Sequence, residues 1–247
     1  FRLCKSAVYT GTFTPPTGPL SASMGANPFG GSNTAAATAV ILANYTNAGI
    51  IDSTSKNDLQ TVGNVQVSTA VAKYGSGSFA FDGSGDYLVS NTATTDLYAF
   101  GTGDFTVECW VYLASVSGTK IIYDCRPATS PTYQPLIYVN NANIIFNTNN
   151  ADRVTGTGAM VAATWQHVAV CRSGGTTRIY VNGVQVGSPY ADSNTYTCPA
   201  SRPYIGAESI SGGSGYMNGY IDDMRVTKGV ARYTSNFVPP KVAFANQ

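Results

Sequence analysis

Polar and apolar positions alternate with a period of two along much of this chain, as strands with two distinct faces require. The clearest run sets Phe105, Val107, Cys109 and Val111 against Thr106, Glu108, Trp110 and Tyr112. Short runs of this kind are cut by residues that favour turns. Asn182-Gly183, between Arg178–Val181 and Val184–Val186, is the strongest hairpin signal, because both central residues of such a turn need positive φ. Ser173-Gly174-Gly175 predicts a second hairpin between Val168–Arg172 and Thr177–Val181, and Asn140-Asn141-Ala142 a third between Leu136–Val139 and Ile144–Phe146. Tyr220 to Val226 begins a further strand. No window carries a helical period long enough for a helix, and Val65 to Lys73 holds a short turn at most. Many short strands between Gly, Asn and Ser turns predict an all-β, two-sheet antiparallel sandwich.

A second pattern joins the two ends. Tyr9-Thr10-Gly11-Thr12-Phe13-Thr14-Pro15-Pro16 aligns without a gap on Tyr233-Thr234-Ser235-Asn236-Phe237-Val238-Pro239-Pro240. Arg2, Leu3 and Lys5 match Arg225, Val226 and Lys228 if one residue is skipped. Spacing of this size is the period expected of a tandem array of large β-domains. The expected organisation is therefore three parts. Residues 1–34 are an extended N-terminal arm, the end strand of an upstream repeat with a Pro/Gly/Ser-rich linker. Residues 35–240 form one sandwich, and 241–247 a tail. On this reading Tyr9, Phe13, Pro15 and Pro16 are assembly residues. Each Phe anchors a strand apolar side down, and each proline pair ends the ladder, since proline cannot donate to it.

Composition narrows the function classes. Only 11% of residues are charged and the net charge is +1, which gives no electrostatic reason to expect nucleic acid or an anionic membrane as partner. The most apolar segment, Ala35 to Ala43, is one strand long, far short of the ~20 residues that span a bilayer. Five scattered cysteines without a C-x-x-C pair argue against a zinc site and against a disulfide scaffold. Cys109 and Cys171 lie in apolar strand patterns, where a reduced thiol acts as a small hydrophobe; a bridge between them requires their strands to pair.

Five blocks now carry a resemblance. Ser78 to Leu88 (SFAFDGSGDYL) resembles the FDGxxDYL signature of laminin-G-like, concanavalin A-like jelly-roll domains. Asp104–Val111, Trp165–Val170, Arg178–Gly183 and Gly219–Val226 follow in that family's order, so the likeness runs from about residue 37 to 240. The ending VTKGVARYTSNFVPP is similar to versions repeated in tailed-bacteriophage virion appendages. The resemblance implies a jelly roll of two curved antiparallel sheets with rim loops. It implies no single activity, since this fold hosts lectins, hydrolases, adhesins and spacers.

Candidate chemistry is sparse. Glycoside hydrolysis needs two carboxylates about 5–9.5 Å apart, and hydrolases of this fold resemble one another in a Glu-x-Asp-x-Glu strand. Here the only glutamates are Glu108 and Glu208, and neither has an acid two residues away. Glu108 and the lone His167 read as structural, so no catalytic residue is expected. Calcium is the cofactor the resemblance implies. Many of these jelly rolls hold one ion between an early loop and the final strand, which points to Asp52 and Asp222; the alternative roles are an Asx turn at Asp52 and a rim hydrogen-bond network at Asp222. Asp82 and Asp86 shape the Gly83/Gly85 turn. Sugar recognition uses aromatic platforms with neutral hydrogen bonders, and the chain has 16 Tyr. Two rim loops, Pro127 to Tyr133 and Ser209 to Tyr216, make Tyr133 and Tyr216 the ligand-binding candidates.

The expected function is a non-catalytic structural and adhesive module of a repetitive virion or extracellular assembly, best matched to a bacteriophage fibre or surface protein assembled in the host cytoplasm. Its expected partners are other copies of the same or related virion proteins and host-surface carbohydrate. The alternative is a carbohydrate-binding lectin domain; a glycan hydrolase stands third.

Overall fold

The computed structural model describes residues 2–4, 39–42, 59–75, 77–90, 97–127, 133–209 and 215–244. The chain divides into two units, Phe1–Gly49 and Ile50–Gln247. In the first, β1 (Arg2–Cys4) pairs antiparallel with β2 (Ala39–Leu42). Tyr9, Phe13, Pro15, Pro16 and Asp52 lie outside the described residues.

The second unit is a sandwich of two seven-stranded antiparallel sheets, with no helix among the described residues. Sheet 1 runs, edge to edge, through β11 (Ala151–Gly156), β10 (Asn143–Thr148), β9 (Leu136–Asn140), β8 (Thr119–Asp124), β15 (Tyr204–Ile205), β6 (Tyr87–Ser90) and β3 (Leu59–Val62). Sheet 2 runs through β14 (Val184–Ala191), β13 (Thr176–Val181), β12 (Trp165–Ser173), β7 (Phe105–Leu113), β16 (Asn218–Lys228), β5 (Ser78–Asp82) and β4 (Gln66–Ser68). Between them lies one apolar core. Leu88, Ile122, Ile137, Ile144 and Phe146 of sheet 1 meet Phe105, Val107, Val168, Ile179 and Ile221 of sheet 2. Burying such side chains stabilises the fold by about 1.5–3 kcal/mol each.

The predicted hairpins form where the turn chemistry places them. Asn182 and Gly183 have φ of 52° and 80°, Gly174 and Gly175 52° and 73°, and Asn141 and Ala142 48° and 67°. A fourth two-residue turn, Asn149-Asn150, joins β10 to β11 at φ 53° and 54°. The Asp82/Asp86 turn also forms as read: Asp86 accepts from the backbone N–H of Asn64 and Asp82, and Asp82 accepts from that of Ser84.

Three expectations need correction. Gln66–Ser68, inside a segment read as a turn, is the edge strand β4. Cys109 and Cys171 cannot bridge, although β7 and β12 do pair. Cys109 lies opposite Val168 and faces the core, while Cys171 lies opposite Thr106 on the other face. Finally, Tyr233–Pro240 is not a strand. The last strand, β16, ends at Lys228, and the chain then crosses the outer face of sheet 2 as an irregular strap.

Candidate functional site

The two sheets present different outer faces. On sheet 2 the outward positions of β7 are Thr106, Glu108, Trp110 and Tyr112, matched across β12 by Cys171, Ala169, His167 and Trp165. A bulge in β16 sets its register, with one extra residue between the Asp222–Trp110 and Arg225–Glu108 pairs and Asp223 at φ 47°. The bulge brings Arg225 directly opposite Glu108.

Glu108 is therefore the centre of a clasp. Its fully buried carboxylate accepts from Arg225 Nε at 2.9 Å and from the Tyr233 hydroxyl at 2.9 Å. Arg232 Nε stands 3.6 Å away and His167 Nε2 3.3 Å, the latter at ion-pair distance without hydrogen-bond alignment. Burial alone would push this carboxyl up. The contacts with His167, Arg225 and Tyr233 outweigh it and hold the pKa below the ordinary glutamate value. His167 itself sits edge-on to Trp110, Tyr233, Phe237 and Phe244.

The strap closes this site from above. The Tyr233 and Phe237 rings stack with centroids 3.5 Å apart and cover Ala169, Cys171 and Tyr180. Phe237 N–H donates to Gly183 O at 2.9 Å, and Asn236 Oδ1 accepts from Gln185 N–H at 2.8 Å. Tyr74 donates its hydroxyl proton to Pro240 O at 2.7 Å. Gly183 is the residue that lets the strap lie flat, since a Cβ there would overlap the Phe237 carbonyl. Asp222 braces the neighbouring edge. Its Oδ2 accepts from Lys73 and Tyr74 N–H at 2.7 and 3.0 Å, and its Oδ1 from Asp223 N–H at 2.8 Å. Three of its about four acceptor positions thus hold N–H groups, the rim hydrogen-bond role, and Asp52, its expected partner toward calcium, lies outside the described residues. No three His, Cys, Asp or Glu side chains cluster anywhere among the described residues in a way that could hold a metal.

Sheet 1 carries a different outer face. One rank of cross-strand partners runs Gln60, Val89, Tyr204, Asp124, Leu136, Asn147, Asp152, from β3 to β11. Directly paired residues share a face. Tyr87, two residues from Val89, stacks on Tyr204 at 4.6 Å, and the Arg202 guanidinium lies 4.4 Å over Tyr204. Both tyrosines are half-buried. Burial and then the neighbouring Tyr204 raise the Tyr87 pKa, and Tyr216 adds to the effect from nearby. Beside the stack, Asp124 is saturated by four donors. Arg126 N and Nε reach Oδ1 at 2.9 Å each, and Arg126 Nη2 and Ser209 N reach Oδ2 at 2.8 and 2.9 Å. Arg126 Nη2 also donates to Glu208 at 2.9 Å. Burial would lower the Arg126 pKa, but the two carboxylates raise it further. At the far end Asp152 Oδ1 accepts from Tyr138 and Asn147.

Of the two tyrosines expected at the rim, Tyr216 is near enough to Tyr87 to contribute to raising its pKa. Tyr133 is exposed, with its carbonyl accepting from Thr197 N–H. Sequence reasoning missed Tyr87, Tyr204, Asp124, Arg126 and Arg202. It also missed a thiol pair that meets among the described residues, Cys125 and Cys198, both buried with sulfurs 2.7 Å apart.

A family model described as the concanavalin A-like lectin/glucanases superfamily matches residues 82–232, well over half of the chain. The chain belongs to that superfamily. No curated protein matches it by sequence. Among solved structures, this superfamily member is similar to domain 4 of AbnA, a GH43 extracellular arabinanase from Geobacillus stearothermophilus, in complex with arabinotriose. The TM-score is 0.54 at 14% identity, covering 71% of this chain and 83% of that one. It is also similar to the receptor binding domain of botulinum neurotoxin D, with TM-score 0.50, 14% identity, and 71% and 45% of the two chains covered. A third likeness is to botulinum neurotoxin type C, whose cell entry depends upon interaction with two ganglioside molecules; here the TM-score is 0.50 at 14% identity, with 70% and 44% covered. At such identities the likeness is one of fold. The match spans less than half the length of these neurotoxin chains.

Proposed function

We propose that this superfamily member is a non-catalytic carbohydrate-binding module that works in adhesion, with its glycan seat on the outer face of sheet 1. The observation that carries this reading is the half-buried Tyr87–Tyr204 stack, on a face whose polar members Asp124 and Asp152 are already oriented by their own neighbours. Binding sites combine apolar or aromatic surface with a few fixed polar groups, and a pre-ordered face loses little entropy when a sugar docks. Arabinotriose and gangliosides as ligands of similarly folded domains support the same reading.

Turnover is disfavoured by the state of the carboxylates. A glycosidase needs one free acid and one free base or nucleophile. The lone pairs of Asp124 are filled by four N–H groups, and Glu108 lies buried beneath the strap. The near-repeat at the two ends supports a place in a repetitive extracellular or virion assembly, with related subunits as further partners. A glycan array with the intact chain tests the proposal. Binding should fall about tenfold or more in Tyr204→Ala, the loss of one aromatic contact, at an unchanged fold by circular dichroism. Absence of any glycan binding, or binding indifferent to Tyr204 and Tyr87, would refute it.

A further inference from the structure

The strap is a key fitted to a groove, and the chain carries that key twice. At the C-terminal end the groove is made by Glu108, Ala169, Cys171, Tyr180 and Gly183. Its contacts divide by what they ask of the strap sequence. The hydroxyl bond to Glu108 needs Tyr at the first position, and the ring stack on Tyr180 needs Tyr at the first and Phe at the fifth. The bonds at Gly183 and Tyr74, and the Thr106 bond to the N–H of residue 232, use strap backbone alone. All of these are available to Tyr9-Thr10-Gly11-Thr12-Phe13-Thr14-Pro15-Pro16. Three side-chain contacts are forfeited: the Asn236 bond to Gln185, where Thr12 stands instead, and both the Arg232 bond to Thr227 and its 3.6 Å ion pair with Glu108, where Val8 stands.

We propose that residues 5–16 are a second strap whose seat is this groove on another copy of the chain, so that copies join head to tail. The resident strap is tethered at an effective concentration on the order of millimolar, so the incoming one takes the seat as the resident lifts. A contact of this kind is heterologous, and it propagates a filament or closes a ring. It rests on the groove of sheet 2 and is independent of the carbohydrate seat on sheet 1.

Two experiments on the full chain test it. The triple variant S235G/N236T/V238T rewrites 233–240 as 9–16. It should melt within a few degrees of the wild type, since it forfeits one bond to a partly solvated groove edge, whereas Phe237→Ala should melt well below both. A triple variant as destabilised as Phe237→Ala would overturn the proposal, because the N-terminal key would then not fit the groove. For docking in trans, a fluorescent peptide of residues 5–18 is titrated against Tyr233→Ser/Phe237→Ser, whose groove is vacated. Saturable binding, weakened about tenfold or more in a Phe13→Ser peptide as burial of one Phe implies, supports it; no binding, or binding indifferent to Phe13, overturns it. Should that double variant fail to fold, sedimentation of the wild-type chain decides. Concentration-dependent association lost in Phe13→Ser upholds the proposal, and its absence, or its persistence in Phe13→Ser, overturns it.

Discussion

Removing one hydroxyl tests the clasp most sharply. Tyr233→Phe keeps the ring stacked on Phe237 and deletes the 2.9 Å bond to Glu108 Oε2. Hydrogen bonds to charged groups contribute about 1.5–3 kcal/mol. Tyr233 is half-buried, and Arg225 still holds the other oxygen, so we expect a loss around the lower end of that range, about 1–2 kcal/mol. For a domain of this size that is a fall in Tm of about 2–8 °C. The loss should also depend on pH. Glu108 binds protons more weakly in the folded state than in the unfolded one, because its partners hold its pKa below the ordinary glutamate value of about 4.5. Its contribution is therefore complete above about pH 4.5 and is lost as pH falls through the depressed folded value. Wild type and variant should differ most near neutrality and converge in acid. Urea unfolding from pH 7 downward reads this directly. A difference that stays constant down to the acid limit, or no difference at pH 7, would refute the assignment of Tyr233 as a donor to a buried carboxylate.

Other outcomes follow from the same geometry. Gly183→Ala should cost more stability than Gly85→Ala. Both have positive φ, 80° and 75°, and share a strain of about 1 kcal/mol, but a Cβ at Gly85 meets open space while one at Gly183 strikes the Phe237 carbonyl; equal losses by calorimetry would contradict the strap contact. Chelator should leave Tm unchanged, and Asp222→Ala should lower it equally with and without calcium, because three backbone N–H groups depend on that carboxylate; a calcium-dependent Tm would restore the metal reading. Iodoacetamide at pH 8 should leave Cys109, Cys125, Cys171 and Cys198 unlabelled until denaturant is added. All four are buried, and burial first of all pushes Cys109 up to about 12 and Cys171 up to about 11. Peptide mapping checks each thiol.

Much of the architecture was legible in residue order because it is local. A two-residue Asn-Gly or Gly-Gly turn needs positive φ at both central positions, and only a few residue types supply it, so Asn182-Gly183 and Gly174-Gly175 announce their hairpins unaided. The alternation along Phe105–Leu113 likewise tells core from outer face. What the sequence could not show is which distant residues share a rank. Tyr204 meets Val89 and Asp124 only because β15 inserts between β6 and β8, and Cys125 meets Cys198 across 73 residues for want of any local signal. The Glu108–Arg225 pair depends on one extra residue in β16, which shifts every outward side chain beyond it. The end of the chain shows the division best. Its repeated Tyr, Phe and Pro residues were plain from the start and suggested a strand. Only the folded sandwich, by presenting an apolar groove over a buried carboxylate, made them a strap.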